Sequence, residues 1–183
     1  MNLATLTPLL ISMLCAFAAS LLVLKSISPL ASQLGLLDHP DDRKQHSGSI
    51  PLTGGIAITA GALIAIVIFQ QLATTTTTTT TYILLGGALM LILGMIDDAN
   101  HFSWRKRLLG QIVISVLTLN LTGLSVHTVV GFDLTSVPGL SLGFTLLAII
   151  GLTNAFNLID GIDGLAGGIA LITIANLFIF STP

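Results

Sequence analysis

Glutamate is absent from this chain of 183 residues, and only 8% of its residues are charged: six lysines and arginines against eight aspartates. Soluble domains carry about a quarter charged residues, so an ordinary water-soluble globule is excluded. Cysteine occurs once, at Cys15 inside an apolar run, which rules out an intramolecular disulfide and a cysteine metal cluster and leaves the redox compartment unread. No lysine or arginine precedes Lys25, so the start lacks the basic region of a secretory signal and is expected to be a retained first span. The formal net charge of -2 says little about partners, and no nucleic acid is expected among them. What the chain does have is grease. With 53% hydrophobic residues and a mean hydropathy of +0.98, it reads as an integral membrane protein.

Six apolar runs stand out, at Leu6–Leu24, Leu52–Leu72, Tyr82–Ile96, Leu108–Leu124, Leu140–Ile159 and Leu165–Phe180. A helix needs roughly 20 apolar residues to cross a bilayer, so the third and sixth runs are short, and the third is completed by borrowing from the block Thr74–Thr81. The expected fold is an all-α polytopic membrane protein with about six transmembrane helices in a single domain over residues 1–183. A small external β-hairpin is expected from Val126–Val130 and Asp133–Val137 around Gly131-Phe132. Pro51 after Ser49 reads as the start of the second helix, with Gly54 and Gly55 admitting a neighbouring helix or a phosphate; Gly94 and Gly110 read as close-packing positions.

Six crossings put the connections after spans one, three and five on one side. Those segments hold all six basic residues, counting Lys25 at the inner end of the first span, together with seven of the eight aspartates. The positive-inside rule makes that face cytoplasmic and the N-terminus external. The rule does not ask for acids there, so a shared site on the cytoplasmic face is the expected explanation.

Three clusters supply that site. Asp97-Asp98 closes an apolar helix; adjacent carboxylates repel and are most easily kept where a hard cation or a basic side chain neutralises them, and magnesium commonly takes one or two protein carboxylates with substrate phosphates. Asn154 and Asn157 lie at the hydrocarbon edge, where an unpaired carboxamide is costly, and Asp160 and Asp163 follow at near-helical spacing among Gly161 and Gly164, which permit close backbone approach. Arg43, Lys44, Arg105, Lys106 and Arg107 together offer charge enough for a pyrophosphate, with His46 and His101 as further hydrogen-bonding candidates and His127 set apart on the other face.

These motifs, in order, resemble those of the polyprenyl-phosphate N-acetylhexosamine-1-phosphate transferases, glycosyltransferase family 4, of bacterial membranes. The likeness rests on Asp38-x-Pro40-x-x-Arg43-Lys44-x-His46 with Pro51-x-x-Gly54-Gly55, then Asp97-Asp98 with Gln111, then Asn154-x-x-Asn157-x-x-Asp160-Gly161-x-Asp163-Gly164. The Arg-Lys-x-His form looks more like the branch using UDP-N-acetylglucosamine than the branch transferring phospho-MurNAc-pentapeptide. The resemblance implies attack of undecaprenyl phosphate on a UDP-N-acetylhexosamine, with loss of UMP, as the first membrane step of cell-envelope polysaccharide (lipopolysaccharide, O-antigen) synthesis. It also implies magnesium or manganese at Asp97, Asp98 and Asp160; catalysis by these with Asp163; and substrate binding by Arg43, Lys44, His46, Asn154, Asn157, Gly161 and Gly164. It further implies the bacterial inner membrane as location, and it admits a homodimer. Family members are roughly twice this length, so the chain looks like the N-terminal half of one. Phe102-Ser-Trp104 departs from the usual leucine-bearing spacing after the Asp pair.

A transporter is the rival from another class, but it calls for carboxylates near the bilayer midplane, and a scaffold protein calls for tolerance of Asp→Asn changes. Here the carboxylates gather toward one surface.

Overall fold

The computed structural model describes residues 3–33, 36–38, 50–73, 78–100, 102–160 and 164–181. Through them run six helices of 17 to 25 residues: α1 Leu3–Ile27, α2 Gly54–Ala73, α3 Thr78–Asn100, α4 Trp104–Thr122, α5 Leu140–Ile159 and α6 Leu165–Ser181. The chain is an all-α polytopic membrane protein. Four segments are long and apolar enough to cross a bilayer: Leu6–Leu30, Gly54–Leu72, Thr78–Asn100 and Leu140–Ile159. The other two of the six expected spans are helices that fall short of that standard. α4 opens on Trp104-Arg105-Lys106-Arg107, and the apolar stretch of α6 is only Leu165–Phe180.

Large apolar side chains lie exposed along the helices, among them Leu14, Phe17, Leu147 and Phe180. Against lipid that exposure carries no penalty, and helices then associate through small residues that let backbones approach. A β-carbon on Gly61 of α2 would come 2.8 Å from the Ala16 carbonyl of α1, and one on Gly86 of α3 would run into Thr118 of α4. Gly110 packs as expected, with Leu93 Cδ1 2.8 Å from the place of its missing β-carbon. Gly94 does not: nothing among the described residues lies within 4 Å of that position.

Two compact units divide the chain between Thr122 and Gly123. In the first, α1 continues into a 3-10 turn at Ser28–Leu30, and strand β1 (Leu37–Asp38) pairs antiparallel with β2 (Ile50–Pro51), Leu37 opposite Pro51 and Asp38 opposite Ile50. Pro51 therefore sits in a strand and does not start α2. The helix opens two residues later, where the Thr53 carbonyl accepts the first helical bond from Ala57 N–H at 3.2 Å. Thr53 is buried, and its Oγ1 lies 3.1 Å from Ser28 Oγ, tying the start of α2 to the end of α1. The threonine block is helical from Thr78 onward, so α3 does borrow from it; residues 74–77 lie outside the described residues.

In the second unit the expected hairpin forms, but smaller and displaced. Strands β3 (Thr128–Val129) and β4 (Phe132–Asp133) are joined by Val130 and Gly131, not by Gly131 and Phe132. Both turn residues have positive φ, 49° and 80°, as a two-residue primed turn demands. β4 stops early because the Asp133 carboxylate accepts from Thr135 N–H at 2.8 Å and Thr135 Oγ1 at 2.7 Å, capping a 3-10 turn at Leu134–Ser136. The hairpin is moored to α5: Val126 N–H donates to Thr145 Oγ1 at 2.9 Å, and Ser141 Oγ donates to the Val126 carbonyl at 2.8 Å.

Candidate active site

Contacts within the first unit bring the end of α1, the start of α2, the end of α3 and the start of α4 to one end of the helices. The place of a β-carbon on Gly55, two residues into α2, lies 3.1 Å from Leu91 Cδ1 on α3, two turns short of Asp97. Leu93 in turn meets Gly110, the seventh residue of α4. The Ser28–Thr53 contact and the β1–β2 ladder stand just before α2. The ladder that roots residues 39–49 and the Asp97-Asp98 pair therefore share one end of this unit.

The corner between α3 and α4 carries charges of the wrong sign for both helices. A helix C-terminus favours cations and an N-terminus favours anions, each by about 0.3–1 kcal/mol. Here Asp97 and Asp98 occupy the last turn of α3, and Arg105, Lys106 and Arg107 the first turn of α4. The double inversion resolves in a direct pair, with Arg107 Nε 2.8 Å from Asp97 Oδ2. That N–H is buried and not aligned as a directed hydrogen bond, so the attraction is ionic in the main. The other oxygen, Asp97 Oδ1, accepts from Phe102 N–H at 3.0 Å and so draws the corner tight. The Ser103 carbonyl accepts from Lys106 N–H and Arg107 N–H, opening α4.

Asp97 is nearly buried, its side chain 12% exposed, while Asp98 beside it is exposed. Arg105 lies over the Trp104 ring at 5.2 Å and Lys106 over Phe102 at 5.8 Å. Such pairs keep cations at an apolar boundary. The departure at Phe102-Ser-Trp104 thus supplies the rings on which two of the cations rest. Gln111, one turn beyond Arg107, is buried, as is Ser115 after it, whose Oγ has no hydrogen-bond partner among the described residues.

At the end of α5, Asn154 Nδ2 donates to the Ile150 carbonyl at 2.8 Å, a local bond that Asn100, Asn120 and Asn176 repeat on their own helices. That bond by itself does not mark a ligand site. Asn157 is exposed one turn later, and exposed Asp160 caps the helix through its N–H to the Phe156 carbonyl at 3.0 Å. Gly164, with φ +76°, turns the chain into α6. Arg43, Lys44, His46, His101, Gly161 and Asp163 lie outside the described residues. Among the described residues no three His, Cys, Asp or Glu side chains group around one point. The donor set at the corner is thus two adjacent carboxylates, which is what magnesium ordinarily takes from protein when phosphates complete its shell.

The model of the family described as "Glycosyl transferase family 4" matches residues 80–182, more than half of the chain and all but the first two residues of the stretch from α3 to α6. The chain belongs to glycosyl transferase family 4. Similar proteins include a "Probable undecaprenyl-phosphate N-acetylglucosaminyl 1-phosphate transferase" of Bacillus subtilis, 32% identical over 94% of this chain and 49% of the relative. An "Undecaprenyl-phosphate alpha-N-acetylglucosaminyl 1-phosphate transferase" of Yersinia pestis is 32% identical over 94% of this chain and 46% of its own. One of the same name from Thermotoga maritima is 27% identical over 79% and 43%. The chain spans about half the length of the relatives it matches. Within the family-4 match, the pairing of Arg107 with Asp97 is what reading residue types alone missed. The signal available was the inverted charge at two consecutive helix ends.

Proposed function

We propose that this chain takes part in transferring N-acetylglucosamine 1-phosphate from UDP-N-acetylglucosamine to undecaprenyl phosphate, as the first membrane step of a cell-envelope polysaccharide. The observation that carries the reading is the α3–α4 corner of a family-4 chain, where two carboxylates and three cations are set against their helix dipoles. The relatives' names support the substrates.

In this reaction a phosphate oxygen of the lipid attacks the β-phosphorus of the nucleotide sugar, one phosphoanhydride P–O bond forms, another breaks, and UMP leaves. The exchange is nearly balanced, so the protein's work is to place and neutralise two anions. The lipid phosphate is mostly ionised at pH 7, which makes strong basicity at Asp97 dispensable. Asp97 and Asp98, with Asp160, would hold the magnesium ion, for which manganese is the ready substitute; when bound it supplies charge neutralisation for the phosphates. Arg43, Lys44 and His46 bind the pyrophosphate region. Asn154, Asn157, Gly161, Asp163 and Gly164 serve the nucleotide sugar, with Asp163 acting in catalysis beside Asp160. The bacterial inner membrane is the setting, with the basic residues on the cytoplasmic side and the N-terminus outside.

The test supplies membranes bearing the intact protein with labelled UDP-N-acetylglucosamine, undecaprenyl phosphate and magnesium, and follows label into lipid. Asp97→Asn and Asp160→Asn are expected to lower transfer by about 100-fold or more, and Asp133→Asn by little. Undiminished transfer in either of the first two removes that residue from the site.

A further inference from the structure

We propose that the tip of the β3–β4 hairpin, Val130 with Phe132, rests in the lipid headgroup layer at the N-terminal end of α5, a membrane contact additional to the helices. The inference is independent of the transfer reaction and needs only that α5 crosses the bilayer.

The tip is apolar where a water-exposed turn would be polar. Val130 is fully exposed and Phe132 more than half exposed. From Gly123 to Gly139 the one charge is Asp133, whose carboxylate is engaged by Thr135. Val130 also holds φ 49°, in a turn that asparagine and glycine fill at less strain. A strained, fully exposed valine gains nothing from water. Against lipid its side chain is removed from water, and the strain has a compensation.

Depth decides what the tip touches. The 20 residues of α5 rise about 30 Å, the thickness of the hydrocarbon core. The hairpin is lashed to the flank of that helix, not perched beyond it: Val126 N–H donates to Thr145 Oγ1 at 2.9 Å, and the Val126 carbonyl accepts from Ser141 Oγ at 2.8 Å. Thr145 is the sixth residue of α5, about 7 Å along the axis from its start. The bond from Leu134 N–H to the His127 carbonyl at 2.7 Å, with Leu134 buried, fixes the strands to this mooring. Val130 follows Val126 by four residues, at most about 14 Å of chain, so the tip stays within reach of the headgroups. The turn's own polar backbone keeps it from going deeper, because hydrocarbon offers that backbone no partner. The headgroup layer meets both demands. With no lysine or arginine in the hairpin, the contact is apolar and indifferent to lipid charge.

The test puts one nitroxide on the full chain in vesicles. Cys15→Ala removes the native thiol, Val130→Cys supplies the labelling point, and Leu147→Cys, on the exposed flank of α5, gives a reference inside the span. Collisions with oxygen, which concentrates in lipid, are compared with collisions with a nickel chelate, which stays in water. In phosphatidylcholine vesicles the ratio at position 130 should stand several-fold above that of free label in buffer and below that at position 147. Added phosphatidylglycerol or salt should leave it unchanged. Phe132→Asp should return it toward the free-label value, since a charge at the tip demands water.

A ratio at the free-label value overturns the proposal. So does shielding from both reagents, which marks a protein partner over the tip, and so does contact that appears only with phosphatidylglycerol. A ratio that stays high in Phe132→Asp shows the label alone seeking lipid and overturns it as well. If Phe132→Asp does not fold, Phe132→Thr, a polar residue suited to a strand, takes its place with the same two outcomes.

Discussion

Gly55 stands against Leu91, with 3.1 Å between Leu91 Cδ1 and the place where a β-carbon would be. This contact sets the opening of α2 beside the last turns of α3, and so the strand ladder before α2 shares an end with the aspartate pair. Only small residues permit it. Helices that gain little from excluding lipid must come close to associate.

Glycine substitutions should separate packing positions from empty ones. Gly54→Ala adds a methyl where nothing among the described residues lies within 4 Å and should be neutral in melting temperature. Gly110→Val presses on Leu93, and overpacking of this kind typically costs about 1–3 kcal/mol. Thermal unfolding in detergent checks the contrast, and Leu93→Ala should restore much of the loss.

The Ser28–Thr53 contact should be worth a modest amount. Ser28 Oγ also donates to the Leu24 carbonyl at 2.7 Å, so Thr53→Val leaves no orphaned donor on Ser28. A loss of about 0.5–1.5 kcal/mol is expected, read from urea or heat unfolding.

Asp133 gives the fold a pH dependence confined to acid. Hydrogen bonds from the Thr135 side chain and backbone hold its carboxyl below the usual carboxylate range, with His127 adding a smaller lowering. The folded value lies under the unfolded one, so the ionised form is the one the fold favours. That contribution is complete above the unfolded value and is lost as pH falls through the folded one. Amide exchange in the hairpin should therefore be flat in its pH-corrected protection around neutrality and quicken in acid. In Asp133→Asn the acid step should vanish.

Val130 is a β-branched residue at φ 49°, a conformation that asparagine or glycine adopts at less strain. Val130→Asn should stabilise the hairpin by about 1 kcal/mol, seen as slower exchange at Val129 and Phe132. Gly131→Ala, at φ 80°, should act in the opposite direction.

Much of the fold was legible because the apolar runs are long: all six helices fall on them, and the third did borrow from the threonines. What was illegible depended on partners distant in sequence. Two-residue strands carry no periodicity, so the pairing of Leu37 with Pro51 could not be read, and Pro51 passed for a helix start. The hairpin turn moved by one residue because Asp133 found a local partner in Thr135. At the site, residue type announced Asp97 and Asp98 as acids needing neutralisation. That Arg107 meets Asp97 depends on the tightness of the corner at Phe102, which no spacing rule encodes.

The two rungs joining Asp38 to Ile50 and Leu37 to Pro51 set a sharp frontier for engineering. Asp38 and Ile50 flank residues 39–49 and stand opposite one another, so a conservative exchange at either leaves the register in place. Deleting a single residue from 36–38 would instead slip the pairing by one and reverse the way Leu37 faces. An epitope or fluorophore inserted between Leu37 and Asp38, or between Ile50 and Pro51, should therefore be refused by the fold.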